Sequence, residues 1–131
     1  MDSPDKGRRR QVRVRVHSLT LLFRREGLLQ VILFFRNPDK KASVIDCSEG
    51  GMQIVVAEAI ERNTPITLKM QPAFLSILMT LKGKVAYCHA HTSAKGHTFY
   101  QLGVALAKPT RDYLMMVKRL RDDPMLRQGA L

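Results

Sequence analysis

The sequence predicts a small antiparallel β-barrel followed by one C-terminal helix. Three observations predict it. Apolar residues recur with a period of two through several short runs, and turn-forming residues separate the runs. The alternation stops at Lys108-Pro109-Thr110. Beyond it, Tyr113, Val117 and Leu120, with Leu114 and Met116 beside them, give an apolar face at helical spacing. The 131 residues suit one domain, and 45% hydrophobic residues suffice for one core. Trp is absent, so that core must be built from Leu, Ile, Val and Met.

Residues 1–7 have the composition of a disordered terminus. Val12, Val14 and Val16 alternate with Arg13, Arg15 and His17, an extended segment entering a strand that Leu19, Leu21 and Phe23 continue. Arg24-Arg25-Glu26-Gly27 reads as a hairpin turn and residues 28–35 as the next strand. Asn37-Pro38-Asp39-Lys40 has turn chemistry: Pro fixes φ, while Asn and Asp bond locally to the backbone. Residues 42–45 form a short strand ending at Asp46, and residues 52–56 the strand after the glycines. Residues 57–65 are a loop, 66–70 a strand, and 76–89 a long strand with a bulge expected at Gly83. Residues 91–96 are polar and turn-like, and 98–107 are the last strand. Thr110 is an N-cap, Asp112 suits the first helical turn, and Asp123-Pro124 stops the helix.

The formal net charge is +11, with pI near 10.3. Such an excess favours polyanions: nucleic acid, anionic headgroups or a nucleotide phosphate. Arginines crowd the N-terminus from Arg8 to Arg15, and Lys118, Arg119, Arg121 and Arg127 crowd the other end, where a solvated basic surface is the plainer reading. Two cysteines, Cys47 and Cys88, build no disulfide framework. The N-terminal residues lack signal-peptide character, and residues 28–35 are too short an apolar run to span a bilayer, so a reduced, cytoplasmic protein is expected. Cys88, His89, His91 and His97 invite a zinc reading. On a strand, however, Cys88 and His89 face opposite ways and no CxxC pair accompanies them, so no metal is expected. Cys47 has no identifiable base beside it, and no catalytic residues are assigned.

Two segments carry a more specific signal. Arg8-Arg9-Arg10-Gln11-Val12-Arg13 contains an arginine pair at Arg9 and Arg13. Asp46-Cys47-Ser48-Glu49-Gly50-Gly51 is a D-x-S-x-x-G segment between two β runs. Together they resemble the RxxxR and [DN]xSxxG signature of PilZ domains, bacterial receptors for cyclic di-GMP. Lys82-Gly83-Lys84-Val85-Ala86-Tyr87 is similar to that family's G-x-V-aromatic strand. Gln101-Leu102-Gly103-Val104-Ala105-Leu106 is similar to its closing L-G-V-x-F strand, with Leu106 where Phe is usual.

The resemblance implies a six-stranded antiparallel barrel with a C-terminal helix, no enzyme activity, and cyclic di-GMP as ligand with no other cofactor. It divides the chain into a disordered N-terminus (1–7), a PilZ-like domain with its basic arm and helix (8–122) and a tail (123–131). Arg9 and Arg13 would grip phosphates and guanine edges through their guanidinium forks. Asp46 would accept from guanine N–H groups, and Ser48 would donate to a phosphate or to the turn. Gly50 and Gly51 would allow positive φ and close approach of the ligand. The same residues would also make an ordinary Asx-type hairpin turn beside a basic tail.

The interval from Arg13 to Asp46 is longer than the family usually has. An alternative alignment pairs residues 30–36 with 41–46 and puts Arg24 and Arg25 in the motif position, where neither has an arginine four residues later. The expected function is a receptor that signals to a protein of a motility, secretion or polysaccharide machine, or to a regulator, through ligand-induced ordering of its N-terminal arm. A ligand-independent adaptor is the second reading. A nucleic-acid-binding barrel is the third, disfavoured by the scarcity of aromatics for base stacking.

Overall fold

In the computed structural model, residues 13–17, 19–26 and 39–128 are described. Arg9, the N-terminal residues 1–7 and the strand expected over residues 28–35 lie outside them. Period-two alternation becomes seven strands: β1 (Val14–Arg15), β2 (Thr20–Arg25), β3 (Lys40–Ser48), β4 (Gly51–Val56), β5 (Pro65–Met70), β6 (Met79–Thr92) and β7 (Thr98–Leu106). Helix α1 (Arg111–Asp122) and a 3₁₀ turn (Pro124–Gln128) follow.

All neighbouring pairs are antiparallel. The order β2-β5-β6-β7-β4-β3 returns to β2 and closes a six-stranded barrel. Closure leaves no free sheet edge among these strands, which removes the usual liability of unpaired backbone groups. β1 is an extra pairing on the far end of β3, with Val14 opposite Cys47 and Arg15 opposite Asp46. β1 and β2 thus run along one strand with a break between them, bridged by Val16 N–H to Ile45 O at 2.9 Å and Val44 N–H to Leu19 O at 2.8 Å.

The strand that pairs with β3 inside the barrel is therefore Thr20–Arg25, which corrects two expectations. Arg24 and Arg25 are strand residues, not a hairpin turn. The alternative alignment, which needs residues 30–36 as the partner of β3, gives way because the apolar alternation Leu21, Phe23 already fills that place. β3 also runs past Asp46 to Ser48, so the turn is only Glu49-Gly50, with Ser48 paired to Gly51.

Two bulges set which side chains face out. On β3 the register passes from Val44 opposite Ile54 to Asp46 opposite Gln53, leaving Ile45 as the extra residue. Without it, Asp46 would share the inward face of Val44; with it, Cys47 turns inward and Asp46 outward. On β6 the register passes from Val85 opposite Val104 to Tyr87 opposite Gly103. The extra residue is Ala86, not Gly83 as the sequence suggested, and it turns Tyr87 outward in the same way. Gly83 instead meets β7 closely: a Cβ there would come 2.4 Å from Ala105 O.

The core is lined by Ile54, Leu68, Leu81, Val85, Leu102 and their neighbours, each at most 3% exposed. α1 closes one end of it. Thr110 caps the helix, accepting from Tyr113 N–H at 3.2 Å, and Tyr113, Met116, Val117 and Leu120 are buried. Residues 124–128 pack back: Leu126 is buried, Arg127 Nε donates to Leu120 O at 2.6 Å, and His17 N–H donates to Arg127 O at 2.6 Å. Leu114, which the sequence grouped with the apolar stripe, is 38% exposed. Leu120→Ala is therefore expected to cost about 2–5 kcal/mol. Leu114→Ala should cost under about 1 kcal/mol. Urea denaturation of both variants checks this, and equal losses would contradict the placement of α1.

Candidate ligand-binding site

The two bulges lie at the same level of the barrel. Asp46 (β3) is opposite Gln53 (β4), Gln53 is opposite Gly103 (β7), and Gly103 is opposite Tyr87 (β6). One row of four outward positions thus crosses four strands. Arg13, one residue before β1, comes level with Ser48 and reaches this row from the N-terminal side. Its Nη1 donates to Asp46 Oδ1 at 2.9 Å, and its side chain remains 52% exposed. Of the five N–H donors on a guanidinium, most therefore still face solvent.

The other Asp46 oxygen, Oδ2, accepts from Gln53 Nε2 at 3.0 Å. Gln53 Oε1 in turn accepts from Gln101 Nε2, and Gln101 Oε1 lies 3.2 Å from His91 Nε2. A rail of side-chain hydrogen bonds so runs from Arg13 to His91 along the outer wall. Tyr87 fills the gap left by Gly103: a Cβ at position 103 would lie 2.0 Å from Tyr87 Cε2. Burial pushes the Tyr87 phenol above its ordinary pKa. The ring is half-buried and has His89 as a tilted neighbour at 4.9 Å. A groove of about 150 Å³, lined by Arg13, Ser48, Gly51, Tyr87 and Gly103 among others, lies between the hairpin and the Tyr87 end of the row.

The hairpin that carries Ser48 and Gly51 is held from beneath by the helix. Tyr113 Oη lies 2.6 Å from Ser48 O and 3.0 Å from Gly51 O, and burial pushes its phenol far up, so it remains a donor. Ser48 Oγ, 3% exposed, is 3.4 Å from Gly51 O and turns to the backbone. Gly50 and Gly51 do not take positive φ; Gly96 is the glycine among the described residues that does. The need for glycine at 51 is steric, because a Cβ would meet Val104 O at 2.3 Å.

Arg24 and Arg25 sit elsewhere. Arg24 Nε donates to Glu26 at 2.8 Å, and Arg25 lies 4.0 Å from Glu58. Phe23 pairs with Lys40, six residues along β3 from Asp46, so these arginines stand roughly 20 Å from Asp46; Arg25 instead lines a separate cleft that Tyr87 borders from the other end of the row.

Cys47 is fully buried between Asp46 and Ser48, and burial, with the Asp46 charge adding, pushes its thiol up to about 12. It supplies no thiolate at neutral pH. Among the described residues no group of three or more His, Cys, Asp or Glu side chains is placed to hold a metal ion. Nor is any described helix long and apolar enough to cross a membrane. The sequence reading missed Gln53, Gln101 and Tyr87 as parts of one surface. Their signal was there as polar or aromatic positions alternating with Met52, Ile54 and Leu102, but only the bulges bring them into register.

A closed six-stranded barrel with a capping helix and a polar row on its outer wall defines a class of small binding domains. A family model for the PilZ domain matches residues 7–121, and this chain belongs to that family. Comparison with curated proteins returns no match. Among solved structures, the PilZ domain of YcgR from Escherichia coli, determined with cyclic di-GMP, is similar at TM-score 0.62 and 12% identity over 86% of this chain and 88% of that one. The Bacillus subtilis inhibitor of motility MotI/DgrA is similar at TM-score 0.64 and 13% identity, over 95% of this chain and 57% of that one. PlzA from Borreliella burgdorferi, in complex with cyclic di-GMP, is similar at TM-score 0.59 and 12% identity, over 88% and 52%. The chain spans most of the E. coli domain and about half of the other two. At these identities the likeness establishes the shared fold.

Two expectations follow from the site's packing. Gly51→Ala should destabilise the domain by about 1–3 kcal/mol, since the clashing atom is backbone and cannot rotate away; denaturant midpoints would show it, and an unchanged midpoint would contradict the hairpin geometry. The second concerns pH. The Cys47 thiol goes from an ordinary 9.0 to about 12 on folding, so its contribution is complete below pH 9 and is lost as pH rises through that window. The unfolded chain releases a proton there that the folded chain keeps, so stability falls by about 1.4 kcal/mol per pH unit. Between pH 8 and pH 10, under reducing conditions, the wild type should lose about 1 kcal/mol more stability than Cys47→Ala. Parallel losses would mean Cys47 titrates freely.

Proposed function

We propose that this protein is a cyclic di-GMP receptor that acts by binding, without catalysis, and passes the signal to a protein partner. The observation that carries the reading is the Arg13–Asp46 pair on the outer wall, beside a groove lined by Ser48, Gly51 and Tyr87. Membership of the PilZ family supports it, as do two similar structures determined with cyclic di-GMP.

In this reading Arg13 keeps one N–H on Asp46 and turns the others to a phosphate or to guanine N7 and O6. Arg9, four residues earlier in the sequence, supplies a second fork. Asp46 accepts from guanine N1–H and N2–H₂, Gly51 lets the dinucleotide lie against the hairpin, and Ser48 keeps the turn in shape. Binding fixes the arm that carries Arg9 against the barrel and so changes the surface presented to a motility, secretion, polysaccharide or regulatory protein in the cytoplasm. A second reading, a ligand-independent adaptor, draws on one observation: both oxygens of Asp46 already have protein partners.

Calorimetry with cyclic di-GMP and cyclic di-AMP separates the two. Arg9→Ala and Arg13→Ala should each weaken cyclic di-GMP binding by about 1.5–3 kcal/mol, the loss expected for a charge-assisted bond, whereas Arg24→Ala should have little effect. Asp46→Ala should lower the preference for cyclic di-GMP over cyclic di-AMP, because adenine lacks the two donors. Added salt should weaken the arginine-dependent part more than the Asp46-dependent part. No binding of either dinucleotide would leave the adaptor.

A further inference from the structure

The end of the barrel that α1 closes carries apolar side chains that the core does not use. Among the described residues the exposed large apolar side chains are Leu22, Leu78, Leu114, Met115 and Met125. Leu22 stands on the barrel wall, in β2. The other four lie on α1, on the loop before β6 and on the 3₁₀ turn after α1. At about 3.6 residues per turn, Arg111, Leu114, Met115 and Lys118 form one outward stripe, opposite the buried Tyr113, Met116, Val117 and Leu120. The loop over residues 71–78 rests against the same helix. Arg119 Nη1 donates to Phe74 O at 3.3 Å, and its guanidinium carbon lies 5.4 Å from the centre of the Phe74 ring. Met115 precedes Arg119 by one turn, on the side of α1 that faces this loop.

The loop holds its apolar side chains at the surface. The N–H groups of Leu75 and Ser76 both donate to Pro72 O, at 3.1 and 3.0 Å, and Ser76 takes a left-handed φ of 54°, uncommon for a residue with a Cβ. In this turn Phe74, Leu75 and Ile77 pack partly against the core, while Leu78 is left 65% exposed. Cations surround these positions. Arg111 and Lys118 bracket Leu114 and Met115 along the stripe; both are exposed and have no ion-pair partner among the described residues. Arg119 is exposed beside Phe74. The helix carries four basic residues against two acidic ones, Asp112 and Asp122, and Asp122 lies 3.9 Å from Arg121. Basic charge is therefore in excess around the apolar positions.

We propose that this end of the barrel is a peripheral docking surface for an anionic lipid bilayer, with Leu78 and Met115 entering the boundary of the acyl chains and Arg111, Lys118 and Arg119 meeting headgroup phosphates. Charge complementarity selects this occupant. A lipid interface offers phosphates to the cations and hydrocarbon to the side chains between them. A nucleic acid would satisfy the cations but set Leu78 and Met115 against phosphate. A second copy would bring the same cations of two +11 chains together. The surface lies on the bilayer and does not span it. Its few apolar side chains bury less hydrocarbon than one acyl anchor, which alone binds only marginally, so docking is reversible and needs the anionic charge as well. The proposal goes beyond the receptor reading and does not depend on any dinucleotide.

The test is co-sedimentation of the full chain with vesicles of phosphatidylglycerol and phosphatidylcholine, beside vesicles of phosphatidylcholine alone. The chain should bind the anionic vesicles and not the neutral ones. Lys118→Ala should weaken binding about fivefold, as for one basic residue near an anionic surface. Leu78→Gln should weaken it about tenfold or more, through the lost methylenes. Both side chains are exposed, so the denaturation midpoint should stay where it is. The chain has no Trp, so Leu78→Trp adds a single reporter. On anionic vesicles its emission should move to shorter wavelength and be quenched by brominated acyl chains, whereas Leu22→Trp on the barrel wall should show neither effect. Equal responses at positions 78 and 22 would mean general adsorption of a basic protein. No vesicle binding by the wild type would leave the face to an acidic protein or a second copy. Either result would overturn the proposal, as would wild-type binding with both Lys118→Ala and Leu78→Gln within about twofold of it.

Discussion

Two single-residue bulges, at Ile45 and Ala86, decide what this barrel can do with its outer wall. A regular strand would send Asp46 inward with Val44, and Tyr87 inward with Val85. A carboxylate in that core would be desolvated without a partner, at a cost no nearby group could offset. Each bulge shifts the phase by one residue, so the core continues with Cys47 and Cys88 while the polar and aromatic side chains emerge. Because the bulges fall at the same level, Asp46, Gln53, Gly103 and Tyr87 form one row. Their alignment is what makes the wall a surface for recognition.

The helix contributes to the same wall from inside. Tyr113 brings one hydroxyl to the carbonyls on either side of the Glu49-Gly50 turn. Gly51 O also has the Ser48 hydroxyl at 3.4 Å, so the phenol adds a donor from the helix to one the hairpin supplies itself. The motif turn and the helix are therefore coupled mechanically, and a change in the pose of one is felt by the other. Arg127, bonded to the end of α1 and accepting at its carbonyl from His17, extends that coupling to the segment that delivers Arg13.

Much of the architecture was legible in the sequence. The strands over residues 52–56 and 66–70, the helix start at Thr110 and its stop at Asp123 follow from alternation, capping and proline chemistry alone. What alternation could not give is the phase after a bulge. Nothing in Val44-Ile45-Asp46 marks Ile45 as the extra residue, because an isoleucine is as natural on an inner face as on an outer one. At β6 the glycine drew the bulge assignment to Gly83, whereas that glycine serves the close approach of β7 and the extra residue is Ala86. The partner of β3 was ambiguous for a different reason: two apolar runs compete for one place, and pairing is a long-range choice. Arg13 and Asp46 were legible as members of two motifs that the family resemblance joins in one site, while Gln53 and Gln101 were not, since glutamines on a strand announce no role until the register puts them side by side.

The rail from Asp46 to His91 has a sense of direction. Each amide gives its N–H toward the carboxylate and accepts from the group beyond it, and the last acceptor, Gln101 Oε1, obliges His91 to donate through Nε2. Reversing one amide alone would set oxygen against oxygen on one side and N–H against N–H on the other. Reversing both would still set Gln53 Oε1 against Asp46 Oδ2, so neither amide can turn while the carboxylate accepts. The outer wall is in this respect a single polarised unit: the carboxylate at one end fixes the sense of both amides, and the second amide fixes which ring nitrogen carries the proton at the other.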